Sequence, residues 1–300
     1  MISNYNDGPF VLYITRMLSR RCLRIGAGVG PCPTFRFKLL HQIVNKRMSS
    51  YLSMHRKRFY REAHALPDPE GRYYIQLDGK TIKTPLMNKL HAPTLPLALG
   101  ICNEWNMQVK TIDTHAMPLT SICNTAIDNP TKISKTDLIS ALTVFLHTDT
   151  ICCTAEGPDS LIERQTEKWT PVREWFAKRY NVTLQASSDL FSLEQDVTTI
   201  EKMNEELNSL NAWQLSGLQT AVDGIKSLVL PLAVVEDEIS VEEAVYLSRL
   251  ETEFQMEKWG RFDGVHDVDR FNQETSLAAG VLFYQLASTT GILPSEMAVA

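Results

Sequence analysis

Residues 72–85 read RYYIQLDGKTIKTP, and this stretch decides how the fold begins. Two runs rich in aromatic and β-branched residues, RYYIQL and KTIKT, flank the pair Asp78-Gly79. Asp-Gly favours a two-residue type I′ turn, because both central residues of that turn need a positive φ. The pattern therefore predicts a tight hairpin. Pro85 should end its second strand, since proline has no N–H to donate to a ladder.

Upstream of the hairpin, residues 58–63 (RFYREA) are predicted to form a partner strand, followed by a turn at residues 67–71 (PDPEG). Residues 1–58 carry eleven basic side chains and a single acid, Asp7, with several serines. Such a segment is typical of a mitochondrial transit peptide, so we predict a cleaved leader over residues 1–50. A disordered basic tail and an RNA-binding arm are the alternatives.

Downstream of the hairpin, from Pro93, apolar residues recur every three or four positions, which predicts helices. One helix is expected over residues 95–108. A shorter one should run from Met117 to residues 128–130 (DNP), where the proline restricts the residue before it. We therefore predict a β-rich N-terminal domain over residues 58–129 with one or two helices.

Residues 130–290 are predicted to be a helical domain, with a tail at residues 291–300. Serines followed three residues later by an acid are expected to cap helices at Ser134, Ser160 and Ser240. Gly260 should stop the helix that Ser240 begins. Three finer expectations are a β-prone interruption at residues 150–154, a single helix from Trp213 through Val229, and an inward-facing Phe271. The fold class is α+β, a small β-rich domain followed by a larger all-helical one.

Composition excludes several classes of protein. The chain has 300 residues, 44% hydrophobic and 22% charged, which is ordinary globular composition. No run of 18 apolar residues occurs, so no membrane insertion is expected. Residues 59–300 carry 19 basic and 34 acidic side chains, which argues against nucleic-acid binding. The chain has six cysteines and no CxxC pair, and the four outside the leader are expected to be small buried residues in a reducing compartment.

Few residues in the sequence match a catalytic motif. Asp78-Gly79-Lys80-Thr81 ends like a P-loop, but Tyr74 stands where that motif needs its first glycine. The nearest approach to a metal set is His147, Asp149, His266, Asp267 and Asp269. These positions suit helix termini, where acids and cations have ordinary capping roles, so we expect no metal and no cofactor.

Side chains that could serve a site also have ordinary structural explanations. The helix carboxylates Glu104, Glu163, Glu251 and Glu253 are expected to be solvated, since nothing in the sequence pairs them for acid–base work. The five tryptophans are expected to pack in the core. They are Trp105, Trp169, Trp175, Trp213 and Trp259.

Successive phrases over residues 58–288 resemble one family, the mitochondrial ATP synthase F(1) complex assembly factor 2 chaperones. In the N-terminal half the phrases are Arg58-Phe59-Tyr60, Leu77-Asp78-Gly79-Lys80, Lys83-Thr84-Pro85, Glu104-Trp105, Gln108, Met117-Pro118-Leu119-Thr120 and residues 125–130 (TAIDNP). In the helical half they are Asp149-Thr150-Ile151-Cys152, Trp169-Thr170-Pro171, Glu174-Trp175, Ser248-Arg249-Leu250-Glu251, Gln255, Lys258-Trp259-Gly260 and His266-Asp267. Each phrase alone is weak, but their order along the chain is specific.

The resemblance implies a monomeric mitochondrial matrix chaperone that is not an enzyme. It would bind the free alpha subunit of the ATP synthase F(1) sector and prevent its aggregation until beta subunits displace it. A matrix enzyme with a site near His147, Asp149 and His266, or a generic matrix adaptor, is the alternative.

The resemblance also nominates residues. It implies partner-binding roles for Glu251, Glu253 and Gln255, of which Glu251 matches the family's important late-helix carboxylate. A buried cap or a salt bridge to Arg249 is the structural alternative for Glu251. Our hypothesis is that Glu251→Gln keeps the fold and weakens alpha-subunit binding. The residues assigned structural roles are Asp78, Gly79, Trp105, Trp259 and Gly260.

Overall fold

The computed structural model describes residues 56–189, 193–261 and 264–288. Its helices are α1 Leu95–Asn106, α2 Pro118–Asp128, α3 Lys135–Val144, α4 Asp159–Tyr180, α5 Val197–Ser209, α6 Ala212–Ile225, α7 Val229–Val235, α8 Val241–Ser248, α9 Leu250–Trp259 and α10 His266–Ser288. Its strands are β1 Arg56–Lys57, β2 Ala63–Pro67, β3 Tyr73–Leu77, β4 Lys80–Thr81, β5 His91–Ala92 and β6 Thr111–Ile112. The predicted leader and tail, residues 1–50 and 291–300, lie outside the described residues.

The predicted hairpin is confirmed and forms the centre of a four-stranded antiparallel sheet. Leu77 of β3 faces Lys80 of β4, which leaves Asp78 and Gly79 as the turn. Both have positive φ, 47° and 81°, as a type I′ turn requires. β2 pairs along one edge of β3, while β4 and β5 share its other edge.

The partner strand of the hairpin differs from the prediction. It is β2 rather than residues 58–63, and Pro67 ends it opposite Tyr73. Proline is tolerated there because β2 is an edge strand, whose outward N–H groups need no partner in the sheet. Residues 58–62 instead connect β2 to a separate two-stranded pairing of β1 with β6.

The two N-terminal helices follow the prediction closely. Thr94 caps α1, and α2 ends at Asn129 in the left-handed conformation, with φ 36°. In the helical half, Ser134 and Ser240 cap α3 and α8 as predicted, each accepting a bond from the backbone N–H three residues later. Gly260, with φ 90°, ends α9 and donates its N–H to Met256. Local side-chain chemistry set these boundaries.

Four predictions in the helical half are wrong. Residues 150–152 form a 3₁₀ turn rather than a β segment, although Cys153 makes an isolated bridge to Ser187. α4 begins after Pro158 and not at Ser160. The helix from Trp213 ends at Ile225, and Val229 begins a separate helix. The helix that Ser240 begins breaks at Arg249, so that α8 and α9 are distinct.

The hydrophobic interior forms two clusters, and α10 contributes to both. The N-terminal cluster contains Ile75, Leu97, Ile101 and Cys123, together with Ala279, Phe283 and Ala287 from α10. The helical cluster surrounds Phe176, Met203, Leu215 and Leu230, with Leu277 and Val281 from α10. The last helix therefore completes the N-terminal cluster, whose other buried members precede Ala279 by more than 150 residues along the chain.

Burial of individual aromatic residues is mixed. Trp169 is buried as expected, and Trp105 packs edge to face against Tyr60 with ring centroids 5.6 Å apart. Trp259 is 77% exposed and Phe271 is 66% exposed, so the expectation that both face inward is wrong. Both lie near the connection between α9 and α10, beyond the reach of either cluster. No helix within the described residues is long and apolar enough to cross a membrane.

Candidate functional site

A groove of about 820 Å³ lies beside the helices that carry the nominated residues. It is enclosed by the segment 148–157, by Trp169 of α4, by Ser188, and by the junction of α8 with α9. We call it the α8–α9 groove. Its lining residues are Thr148, Thr150, Cys153, Thr154, Ala155, Glu156, Gly157, Trp169, Ser188, Ser248, Arg249, Glu251, Thr252 and Gln255.

Buried Asp149 anchors the segment that forms one wall of the groove. Its carboxylate accepts hydrogen bonds from the backbone N–H groups of Leu228 at 2.7 Å, Val229 at 3.1 Å and Ile151 at 3.3 Å. Burial raises the pKa of Asp149, while these bonds and one from Ser227 act to lower it. The side chain therefore satisfies buried backbone donors and fixes the flanking Thr148 and Thr150 at the groove.

Hydrogen bonds to other parts of the chain hold the rest of this wall. The backbone of Cys152 and Thr154 bonds to Ser187 at 3.0 and 2.9 Å. The N–H of Ala155 donates to the side chain of Gln165 at 2.8 Å. Trp169 closes the floor, donating its ring N–H to the carbonyl of Leu247 at 3.0 Å. The groove is thus built on fixed backbone.

Arg249 organises the opposite wall and was not recognised in the sequence as a key residue. It sits at the break between α8 and α9 and is only 4% exposed. Its guanidinium pairs with Asp269 of α10, lies 3.6 Å from a Glu253 carboxylate oxygen, and bonds to the His266 carbonyl at 3.4 Å. A buried cation must be paired, so Arg249 ties the starts of α9 and α10 together.

Glu251, Glu253 and Gln255 lie on two different sides of α9. Glu251 and Gln255 line the groove and are exposed, and the Gln255 amide donates to the Glu251 carboxylate at 3.2 Å. Glu253 is half-buried, does not line the groove, and faces Arg249. The bridge to Arg249 that was the structural alternative for Glu251 is made by Glu253 instead. Helical spacing explains this, because residues 251 and 255 share a face that 253 does not.

The residues assigned structural roles lie elsewhere. The Asp78 carboxylate accepts bonds from the backbone N–H groups of Arg61 and Glu62 at 3.0–3.1 Å, fastening the hairpin turn to the chain that precedes β2. Tyr60 donates its hydroxyl proton to the Trp105 carbonyl at 2.6 Å. These contacts belong to the N-terminal sheet and α1. Only Trp259 and Gly260, at the end of α9, share an element with the groove.

The residues considered for an enzyme do not converge. The Asp149 carboxylate is hydrogen-bonded to backbone N–H groups. The Nδ1 of His147 accepts a bond from the Gln195 N–H at 3.3 Å. His266 belongs to α10, where its carbonyl meets Arg249. Among the described residues no group of three or more His, Cys, Asp or Glu could hold a metal ion. His147, Asp149 and His266 therefore do not come together as the site that the enzyme alternative needs.

Comparison with known proteins gives the class. The family model described as "ATP12 chaperone protein" matches residues 57–177. The mitochondrial protein atp12 of Schizosaccharomyces pombe is 29% identical over 257 residues, covering 82% of this chain and 88% of the relative. Protein ATP12 of Saccharomyces cerevisiae, also mitochondrial, is 29% identical over 263 residues, covering 73% of this chain and 81% of the relative.

A solved structure shows the same fold. The crystal structure of Atp12 from Paracoccus denitrificans superposes with a TM-score of 0.70 at 30% identity, covering 77% of this chain and 98% of that one. The fold and the matched sequence define a protein of the chaperone class. The chain belongs to the ATP12 chaperone family. The names of both fungal relatives support a mitochondrial location for it.

Proposed function

We propose that this protein is an assembly chaperone of the mitochondrial ATP synthase, which binds the free alpha subunit of the F(1) sector and prevents its aggregation until beta subunits displace it. Membership of the ATP12 family supports the chaperone role. The resemblance of the sequence phrases supports the choice of client. A role without catalysis agrees with the chaperone names of the relatives.

One structural observation carries the proposal, an apolar surface at the connection between α9 and α10. Trp259, Val265, Val268 and Phe271 are 77%, 66%, 55% and 66% exposed. We call these four residues the α9–α10 apolar corner. Single exposed apolar residues are normal, and four of them within residues 259–271 favour an interaction surface here. An unassembled subunit exposes apolar interface of the kind that such a surface would cover.

The location of this corner links it to the nominated residues. Trp259 ends the helix that carries Glu251 and Gln255, and Val268 and Phe271 are one helical turn apart on the next helix. Val268 and Phe271 share one face of α10 because residues three apart are neighbours on a helix. Apolar contact with polar contacts beside it is the ordinary anatomy of a releasable interface.

The test is retention of purified subunits by the immobilised full-length chain. We expect it to retain the alpha subunit, not the beta subunit, and to release alpha when beta is added. Trp259→Ala with Phe271→Ala should weaken retention by tenfold or more, on the order of the loss at interface hot spots. Met107→Ala with Val109→Ala removes equally exposed apolar residues near β6 and should not weaken it. Retention of neither subunit would refute the proposal. Capture of unrelated matrix proteins instead would favour the adaptor alternative.

We further propose that the protein works as a monomer in the mitochondrial matrix. The basic composition of residues 1–58 supports import through a cleaved leader. Incubation of the full chain with isolated mitochondria, followed by N-terminal sequencing of the protected product, tests this. A product that begins between about residues 40 and 57 is expected, and an uncleaved chain outside the organelle would exclude import.

A further inference from the structure

A loop of the N-terminal sheet holds two large apolar side chains in solvent. Residues 84–88, which we call the 84–88 loop, connect Lys83 to Lys89, and these two lysines face each other in an isolated antiparallel bridge. In the loop Leu86 is 58% exposed and Met87 is 66% exposed. Neither residue belongs to a core cluster. Two adjacent exposed apolar side chains at the end of a hairpin form a small apolar tip.

Hydrogen bonds fix the shape of this loop. The Thr84 N–H donates to the Asn88 carbonyl at 2.8 Å, and the Met87 N–H donates to the Thr84 carbonyl at 2.9 Å. The Asp128 carboxylate at the end of α2 accepts three more bonds. They come from the Thr84 hydroxyl at 2.5 Å, the Leu86 N–H at 2.9 Å and the Asn88 amide at 2.9 Å. The apolar tip is therefore presented on a fixed backbone.

The backbone conformation at Met87 is unusual for its residue type. Its φ is 69°, in the left-handed region that glycine and asparagine adopt more readily than a residue with a long side chain. Holding such a residue there costs free energy, and positions of this kind are concentrated at functional sites. Glycine would make the same turn at a lower cost, so the turn itself does not require the methionine side chain.

The two lysines at the base of the loop lie close together without an acid. Their bridge is flanked by two backbone hydrogen-bonded pairs, the arrangement in which facing side chains are closest. Like charges directly opposite each other destabilise a sheet. The described ion pairs of the sheet are made by His64 and Arg72 and not by Lys83 or Lys89, and Lys89 lies 5.4 Å from the Tyr74 ring. An anion outside the chain would relieve this repulsion.

Charge is divided unevenly between the sheet and the rest of the chain. Residues 56–92 carry eight basic and four acidic side chains, whereas residues 93–300 carry fourteen basic and thirty acidic ones. A negatively charged surface would therefore attract the sheet and repel the helical part. Charges more than about 10 Å away are largely screened at physiological salt, so the lysines beside the loop act despite the net negative charge of the chain.

We propose that the 84–88 loop docks the protein on the surface of an anionic lipid bilayer. Leu86 and Met87 enter the boundary between headgroups and acyl chains, while Lys83 and Lys89 contact lipid phosphates. Two side chains bury much less than the roughly 800 Å² per partner of a stable protein interface. A bilayer needs no complementary shape, and this combination of contacts gives weak, reversible attachment without a segment that crosses the membrane. The proposal does not depend on the identity of the client.

A fluorescent amino acid in the loop tests the docking. Leu86 of the full-length chain is replaced by a dansyl-bearing amino acid, and the chain is mixed with vesicles of phosphatidylcholine and cardiolipin. The emission should move to shorter wavelength, as in an apolar environment, and should not move with phosphatidylcholine alone. The same label at Val144, which is 60% exposed at the end of α3, should report no change. This control is needed because a basic leader also binds anionic vesicles.

Changes in the labelled chain separate the charged contact from the apolar one. Lys83→Gln with Lys89→Gln should raise the lipid concentration that gives half of the shift by roughly an order of magnitude, since each lysine near an anionic surface contributes to binding. Lys110→Gln with Lys178→Gln removes two exposed lysines elsewhere and should not change it. Met87→Gly should also weaken binding. Because glycine suits a φ of 69°, its thermal midpoint should not fall, so weaker binding is not loss of the fold.

The opposite results would overturn the proposal. No shift with cardiolipin vesicles, or equal shifts from labels at positions 86 and 144, would mean that the loop does not dock on lipid. A shift that survives the loss of Lys83 and Lys89 would exclude the anionic contact. A label at position 86 that responds to the purified alpha subunit and not to vesicles would make the occupant a protein. Retention of the alpha subunit by the immobilised chain is a separate measurement, so failure of the docking leaves the proposed function standing.

Discussion

At the scale of single residues, Asp78 shows how one side chain connects sequence to fold. Asp-Gly selects the turn, and the same carboxylate accepts three hydrogen bonds from the backbone of Arg61 and Glu62. The sequence predicted the turn because turn preference is local. It could not predict the second role, because the partners lie 16 and 17 residues away and the strand between them was assigned to the wrong residues.

Those backbone bonds make the contribution of Asp78 to stability dependent on pH. The N–H groups of Glu62 and Arg61 hold the pKa of the carboxyl below its usual range. A lowered folded-state pKa stabilises the fold above the unfolded value of about 3.9, and this contribution is lost as the pH falls through the folded value. Asp78→Asn keeps an acceptor and tolerates positive φ, but it does not titrate. Urea unfolding at about pH 6 and about pH 3 should therefore show that acid lowers the free energy of unfolding less in the variant than in the unsubstituted chain. If acid lowers the free energy of unfolding equally in both proteins, the hydrogen bonds do not preferentially stabilise the ionised carboxylate.

Exposure of large apolar residues is also decided residue by residue. Phe271 and Leu277 both fit an apolar stripe, yet Phe271 is 66% exposed and Leu277 is fully buried. Periodicity identifies a face of a helix, but not how far along the helix that face is covered. The N-terminal turns of α10 extend past the clusters that cover its later turns. The apolar corner is therefore a property of packing that the stripe alone did not reveal.

At the scale of elements, the crossing of α6 with α10 depends on glycine. A Cβ at Gly280 would lie 2.6 Å from the Gly217 carbonyl oxygen and 2.7 Å from the Ala221 nitrogen. A Cβ at Gly217 would lie 2.7 Å from the Gly280 carbonyl oxygen. Backbone atoms cannot rotate away as a side chain can, so the helices approach this closely only because both positions lack a side chain.

Gly280→Ala should therefore lower the free energy of unfolding by about 1–3 kcal/mol, the usual cost of overpacking, despite the better helix propensity of alanine. Gly100→Ala in α1 is the matched control. Its Cβ would first meet Leu119 Cδ1 at 3.2 Å and Leu286 Cδ1 at 3.4 Å, flexible side-chain ends that can shift. Urea denaturation should show a clear decrease in the free energy of unfolding for Gly280→Ala and little change for Gly100→Ala. Equal effects would mean that α6 and α10 can separate at no cost.

The break between α8 and α9 shows what element-level prediction missed. Apolar spacing continues across residues 240–259, so the sequence favours one helix. Arg249 turns the chain there because its buried guanidinium has partners on α10, at Asp269 and His266. Those partners follow it by 20 and 17 residues. The groove wall at Arg249 therefore depends on contacts with α10.

At the scale of the whole molecule, α10 joins two cores. Ala279, Phe283 and Ala287 complete the N-terminal cluster, while Leu277 and Val281 enter the helical one. The Thr94 hydroxyl that caps α1 also donates to the Leu286 carbonyl at 2.7 Å, a contact across 192 residues. The proposed division into domains at residues 58–129 and 130–290 stays a prediction, but their interiors share this helix.

Phe283→Ala tests this sharing. Phe283 is fully buried, and its truncation should cost about 3–4 kcal/mol, as large-to-small core changes do. Because α10 packs on both cores, hydrogen exchange should become faster in β3 and in α6 alike. Leu282→Ala on the same helix is the control. Leu282 is 44% exposed, so its truncation should change hydrogen exchange in neither β3 nor α6. Faster exchange confined to β3 would show that the two cores open independently.

Local patterns in the sequence are enough to predict the fold class, the hairpin, and those helix ends whose signals lie within a few residues, such as Ser134, Ser240 and Gly260. These features depend on neighbouring backbone groups, which a short stretch of chain always contains. Long-range packing, in contrast, sets where Arg249 breaks a helix, which face of α9 meets the groove, and which end of α10 is left uncovered. The residues that make these contacts are far apart in the chain and are brought together by packing. Their positions depend on the apolar surface buried in both clusters rather than on any local pattern.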